Sequence, residues 1–390
     1  MQKPIKIAFD ASPLLVNKTG VAYYIERLVT ELARKYPDDI ELVGFYYNFL
    51  GRKSTSHMPQ AANIHYRPVR LIPSKVVYQL RRWNVEVPVE IFIKERVDFI
   101  LFGNFLGYPS LRSTPSAPVV HDLTYLDLPD YVAPKNRSDL ERFVPRQIER
   151  SSFVITVSEF SKDKISRTYE LPQEKILVTP IPALPPDKYS PEECDEKLSE
   201  LGIKKPFILF LGTVEPRKNI VSLIDAYEAL PQKLKASYSL VIAGRIGWNC
   251  EQEIARLKQA KQDGLDVIHV GYVDEVAKSV LYQKAELFSS ASHYEGFGMP
   301  VLEAMSYQTA CAVSNIQVFH EVAGKAGRYF DQSNPRDISR VLQDLLSDTA
   351  KRQLLAKQGK DRADSFNWET IAESLLARVH LTLEGKATKN

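Results

Sequence analysis

His293-Tyr294-Glu295-Gly296-Phe297-Gly298-Met299-Pro300-Val301-Leu302-Glu303-Ala304-Met305 follows an apolar run at 287–290 and leads into helical spacing. It therefore reads as a strand-to-helix loop. Gly296 and Gly298 let a ligand approach the backbone closely. Pro300 suits the first turn of a helix, whose unpaired N–H groups suit phosphate or sugar oxygens. Glu295 falls before the helix and Glu303 inside it, so the two carboxylates would meet separate parts of one ligand. On spacing alone a plainer reading stands beside this one, a glycine-rich turn with two solvated glutamates.

A second segment upstream has the same form. Phe210-Leu211-Gly212-Thr213-Val214-Glu215-Pro216-Arg217-Lys218-Asn219 ends one apolar run and begins a helical stretch. Adjacent cations at a helix N-terminus oppose the helix dipole. That cost makes sense where an anion sits. The planar fork of Arg217 and the compact charge of Lys218 together suit a diphosphate. Both side chains are expected to be exposed without ligand. The plainer reading here is a surface basic pair.

Around these segments, short apolar runs alternate with amphipathic stretches. Strands are expected at 5–9, 41–45, 98–102, 118–121, 152–157 and 175–179, with a helix at 22–36. Runs this continuous in apolar residues suit buried parallel strands. Pro180, Pro182, Pro185 and Pro186 then crowd into seven residues, which excludes a helix or central strand and marks a semi-rigid linker. The rhythm restarts with strands at 207–211, 238–243, 267–270, 287–290 and 310–313, helices at 219–230 and 251–262, and a long amphipathic tail at 368–384. The expected fold class is α/β, with two Rossmann-like doubly wound parallel-sheet domains facing across a cleft. The expected boundaries are 1–186, 187–365 and a closing helix over 366–390 that crosses back to the first domain. Ligands in such sheets sit at the carboxyl ends of the strands.

Bulk properties narrow the classes. With 390 residues, 44% hydrophobic and 25% charged, the chain has material for two cores. A net charge of +3 gives no reason to expect nucleic acid. Cys194, Cys250 and Cys311 are odd in number and far from histidine pairs, so neither a disulfide framework nor a zinc site is expected. A reducing, cytoplasmic compartment fits. The N-terminus lacks a signal-like apolar stretch and no window is long enough to span a membrane. Residues 51–94 are basic, with Arg52, Lys53, Arg67, Arg70, Lys75, Arg81, Arg82 and Lys94 against Glu86 and Glu90, and with Tyr66, Tyr78 and Trp83 interleaved. A solvated face is one reading; contact with a membrane surface or a lipid-linked acceptor is the other. The Gly-x-Gly-x-x-Gly fingerprint of nicotinamide oxidoreductases is missing after the first strand.

In order and spacing, these segments resemble family 4 glycosyltransferases of the GT-B fold, of the bacterial polysaccharide type. Glu295 and Glu303 match the family's Glu-x7-Glu pattern, and 212–219 its diphosphate loop. Asp10 to Leu14 with Lys18 to Val21, then Val120 to Leu123, Val157 to Ser161 and Phe366 to Glu369, extend the likeness over most of the chain. The resemblance implies a retaining hexosyltransferase taking a nucleotide-sugar donor and a glycan or lipid-linked acceptor. It implies that Arg217 and Lys218 hold the diphosphate, that Glu303 binds ribose, and that Glu295 with Gly296, Phe297 and Gly298 grips the hexose. His121 would face the sugar from the opposing domain. Gly244, Arg245, Tyr272 and Val273 would surround the nucleotide, and Gly20 would approach the diphosphate. The first loop departs from the pattern: Ala22 replaces a glycine and Tyr23 an arginine, and later His320 stands where proline is common. No Asp-x-Asp occurs, so no metal and no cofactor is expected, the basic pair supplying positive charge instead. UDP-glucose is the favoured donor on family frequency, while the 212–219 loop is also similar to that of GDP-mannose users. A non-catalytic nucleotide-sugar-binding subunit is the alternative from another class.

Overall fold

The computed structural model describes residues 3–387 apart from 16–19, 52–53, 56–57, 71, 84, 86 and 112. Lys18 and Thr19 of the first loop, and Arg52, Lys53 and Glu86 of the basic stretch, lie outside the described residues. Two units emerge. One takes Met1–Leu123, Lys135–Ile181 and Asn367–Asn390; the other takes Thr124–Pro134 and Pro182–Phe366. The division at 181/182 falls among the crowded prolines, and 124–134 is the piece whose membership the sequence did not signal.

In the first unit the strands are β1 (Ile5–Asp10), β2 (Ile40–Tyr47), β3 (Ile64–Val69), β4 (Phe99–Phe102), β5 (Ser116–Pro118), β6 (Val154–Thr156) and β7 (Ile176–Val178). They form a sheet in the order β3-β2-β1-β4-β5 and a pair β6-β7, every ladder parallel. A parallel bridge from Val119 to Ile155 links the two. The expected strand at 118–121 is corrected here. Its ladder with β4 ends at Pro118, and Val120 donates instead to Ile155. The helix Gly20–Lys35 buries Ile25, Leu28, Val29 and Leu32, the four positions that predicted it. The closing helix Trp368–Ala387 packs against it and buries Ile371, Leu375, Leu376 and Val379.

The second unit holds β8 (Phe207–Leu211), β9 (Ser239–Ala243), β10 (Val267–Gly271), β11 (Leu287–Ser290), β12 (Cys311–Ser314) and β13 (Gly327–Phe330). Their order is β10-β9-β8-β11-β12-β13, all parallel. This is the doubly wound arrangement, with the order reversing between β8 and β11. Leu209, Val241 and Phe288 are buried because helices cover both sheet faces, which is why these strands read as unbroken apolar runs. The acidic stretch after the prolines is the helix Pro191–Glu200, started by a capping box between Ser190 and Glu193.

Candidate functional site

The loops leaving β8 and β11 stand on either side of the reversal in strand order, where doubly wound sheets open a crevice at their carboxyl edge. After β8 the chain makes a 3₁₀ turn, Pro216–Lys218, and Asn219 adopts a left-handed conformation (φ 53°) before the helix Ile220–Glu228 begins. Asparagine is among the few side chains that tolerate that geometry, and its Nδ2 donates to Gln332 O at 2.8 Å. After β11 the chain runs through Ser292 and Glu295 to Gly298, left-handed at φ 98°, and then enters the helix Met299–Ser306. A Cβ on Gly298 would lie 2.7 Å from the Phe319 ring, so only glycine fits. Neither helix start carries a side-chain cap.

These two loops bring Arg217, Lys218 and Glu295 together. Arg217 Nη1 donates to Glu295 Oε2 and to Tyr294 O, each at 2.7 Å. Lys218 Nζ reaches Glu295 Oε1 at 2.5 Å, and Ser292 Oγ donates to the same oxygen at 2.8 Å. Arg217 Nη2 pairs with Glu215 at 2.6 Å. Two carboxylates therefore face two cations. Burial pushes the Glu295 carboxyl up, but Arg217 and Lys218 outweigh it and hold that group well below the usual carboxylate range. Burial pulls the Lys218 ammonium down, against the raising pull of Glu295, and Arg217 adds to the lowering.

Two expectations change. Arg217 and Lys218 are not exposed in the free chain: their side chains keep 19% and 11% of their accessible surface. Nor do they sit in the first helical turn, so the dipole cost inferred from sequence is small. Glu215 and Glu295 already compensate their charge. Glu215 and Ser292 were missed by the sequence reading, although both lie inside or beside the quoted segments.

Glu303 lies one turn into its helix, where it accepts from Tyr282 at 2.8 Å and pairs with Lys278 at 3.4 Å. Burial opposes protonation of Lys278, but Glu303 and Glu275 raise its pKa above the ordinary lysine value. Gly296 and Phe297 are buried, and Phe297 packs edge-on against Phe366 at 6.0 Å. Gly244 lies at the end of β9, where a Cβ would come 1.8 Å from Gly212 O. Its N–H donates to Gly271 O at 2.7 Å, so glycine alone lets the strand ends lace together. Arg245 is exposed, Val273 half-buried and Tyr272 77% exposed, all on loops at the same carboxyl edge. Trp248, not anticipated, donates to Tyr131 O at 2.8 Å and so fastens segment 124–134 to this loop.

His121 and Gly20 belong to the first unit. His121 Nε2 lies 3.3 Å from Gly103 O, between the rings of Tyr24 (5.7 Å) and Phe105 (5.4 Å). Burial lowers its pKa, against Asp122. Gly20 is the first residue of its helix and is exposed; Ala22, where a glycine was looked for, is buried, and Tyr23 packs on Trp368. Among the described residues no group of three His, Cys, Asp or Glu side chains is placed to hold a metal, and no helix is long and apolar enough to cross a membrane.

Comparisons with known proteins agree across both units. The family described as Glycosyltransferase Family 4 matches residues 18–182, and that described as Glycosyl transferases group 1 matches 194–362. The chain is 28% identical to O-antigen chain mannosyltransferase B of Escherichia coli over 383 residues, covering 94% of this chain and 97% of that one. Among solved structures it is similar to sucrose-phosphate synthase from Thermosynechococcus elongatus (TM-score 0.71, 17% identity, 99% and 100% of the two chains). It is also similar to WaaG, a glycosyltransferase involved in lipopolysaccharide biosynthesis (TM-score 0.70, 16% identity, 96% and 99%).

Proposed function

We propose that this chain, which belongs to the family 4 glycosyltransferases of the GT-B fold, transfers a mannosyl group from a nucleotide sugar to a glycan or lipid-linked acceptor with retained configuration. The observation that carries the reading is the gathering of Arg217, Lys218 and Glu295 at the strand reversal between β8 and β11. In this reading the diphosphate lies against Arg217, Lys218 and the start of the helix Met299–Ser306. Glu303 takes the ribose hydroxyls and Tyr272 flanks the base. Gly244 and Arg245 approach the nucleotide, and Glu295 and Gly296 to Gly298 hold the hexose.

The chemistry then follows from charge. The C1–oxygen bond to the diphosphate breaks, and the acceptor oxygen bonds C1 on the same face. The departing phosphate oxygen takes the acceptor proton, so bonds and protons balance. Arg217 and Lys218 stabilise the charge that grows on the leaving group, a role a metal fills elsewhere. Positioning supplies most of the rest.

The E. coli relative is named a mannosyltransferase, which favours a mannosyl donor over the UDP-glucose suggested by family frequency. The deciding experiment is a thermal-shift panel of GDP, UDP and ADP, followed by transfer assays with GDP-mannose and UDP-glucose. A matched nucleotide at roughly 100 times its dissociation constant adds about 2.7 kcal/mol. A response to UDP with transfer only from UDP-glucose replaces the mannosyl reading. Binding without transfer or hydrolysis of any donor points to a non-catalytic subunit.

A further inference from the structure

Glu303 is held by a second helix of its own unit. Lys278 and Tyr282 lie four residues apart on the helix Glu275–Lys284, so they share one face of it. That face meets Glu303 on the helix Met299–Ser306. Tyr282 Oη donates to Glu303 Oε2 at 2.8 Å, and Lys278 Nζ donates to Oε1 at 3.4 Å. Each carboxylate oxygen thus takes one protein donor.

The two donors are themselves fixed. Tyr282 is buried, and burial together with the Glu303 charge raises its hydroxyl well above the ordinary value, so it stays a donor. Its ring stacks on Tyr307 at 5.6 Å, with 25° between the planes. Tyr307 Oη donates to buried Ser279 at 2.8 Å and accepts from Asp187 N at 3.2 Å, which ties the stack to the chain just after the crowded prolines. Glu275 holds Lys278 from its other side at 2.8 Å. The Glu303 carboxylate cannot turn without breaking one of these bonds. An ionised carboxylate has about four acceptor sites. Two are filled here, and the side chain keeps 18% of its accessible surface. The capacity left over is one site on each oxygen.

We propose that Tyr282 and Lys278 are positioning residues that hold Glu303 in the orientation for chelating a vicinal diol, and so make the chain discriminate ribonucleotides from 2′-deoxyribonucleotides. This rests on the reading of Glu303 as the ribose contact. Two adjacent hydroxyls donate one bond to each oxygen, which uses both open sites at once. A carboxylate free to turn loses rotamer freedom when it binds, whereas one already held loses little. A 2′-deoxy sugar donates to one oxygen and leaves the other without its second donor, so the advantage of the fixed geometry is lost with that hydroxyl.

The test is isothermal titration of the full chain with GDP, 2′-deoxy-GDP, UDP and 2′-deoxy-UDP. For whichever base binds, the wild type prefers the ribonucleotide about tenfold or more. Tyr282→Phe keeps the ring stacked on Tyr307 and removes only the hydroxyl. It lowers that preference about threefold or more, chiefly by weakening the ribonucleotide, and Lys278→Met does the same. A hydroxyl that merely supports the fold would weaken both nucleotides alike and leave their ratio unchanged. An unchanged ratio in Tyr282→Phe, or in Lys278→Met should the first variant not fold, overturns the positioning role and leaves the ribose contact standing. A wild type that binds both sugars equally removes the ribose contact and the positioning role together. Failure of the ribose reading therefore shows in the wild type, and failure of the positioning role shows in the variants alone.

Discussion

Glu295→Gln tests the charge balance at the strand reversal. The carboxylate is tied to Arg217 at 2.7 Å and to Lys218 at 2.5 Å, with all three side chains mostly buried. Removing one partner of a buried pair costs roughly 3–5 kcal/mol because an uncompensated charge remains. Glutamine keeps an acceptor oxygen, and Glu215 still pairs with Arg217 at 2.6 Å, so the low end applies, about 3 kcal/mol. For a unit of this size that lowers the melting temperature by about 5–10 °C. The free variant is therefore less stable, yet it binds nucleoside diphosphate more tightly. In the wild type the incoming diphosphate shares both cations with Glu295, while in the variant it supplies the missing negative charge. Each 1.4 kcal/mol recovered is about tenfold in affinity. Calorimetric melts with and without GDP or UDP, together with titration of each nucleotide, measure both effects. Turnover falls because the hexose loses its carboxylate contact. A variant that melts with the wild type, or that binds the diphosphate more weakly, refutes the idea that Glu295 and the diphosphate compete for the same cations.

The other expectations use the same assays. Arg217→Ala or Lys218→Ala lowers turnover by roughly 10²–10³ and also lowers the melting temperature, since each strips partners from buried Glu295; full activity in either removes that residue from the mechanism. Transfer persists in excess chelator, and activity that vanishes and returns with magnesium or manganese would show the diphosphate charge to be metal-borne. Gly244→Ala abolishes nucleotide-induced stabilisation, because its methyl would sit 1.8 Å from Gly212 O; a normal thermal shift would show that the loop relaxes. Asp10 is raised from 3.8 to about 6 by burial, facing Ser12, Tyr47 and Tyr108. Its protonated form therefore lends stability that is complete below the unfolded value and is lost as pH rises through about 6. Asp10→Asn flattens that part of the stability profile by about 3 kcal/mol, and an unaltered profile would rule out the shift.

What could be read from sequence depended on burial. The strand at 207–211 and the helix at 251–262 came out with the observed ends, because buried parallel strands and amphipathic helices print their period on the chain. β3 and β13 were missed, and both lie at sheet edges. β3 reads Ile-His-Tyr-Arg-Pro-Val and is only part-buried; its proline is tolerated because an edge strand has a side without ladder bonds. β13, Gly-Arg-Tyr-Phe, fails for the same reason. The site was legible as chemistry but not as charge. Arg217, Lys218 and Glu295 stood out by type and position, whereas their mutual pairing depends on β8 and β11 being neighbours in the sheet. No local spacing encodes that.

The helix Trp368–Ala387 is made after the second unit, yet it belongs to the unit begun first. Until it emerges, the side of the helix Gly20–Lys35 where Tyr23 and Tyr24 meet Trp368 stays uncovered. The second unit has by then been synthesised in full and can fold ahead of the first, reversing the usual N-to-C order. Completion of the first unit thus waits on synthesis of the whole second unit. A chain cut short before residue 368 carries an unsealed apolar surface that chaperones and proteases recognise, so truncated products are marked for removal by the same packing that stabilises the finished chain.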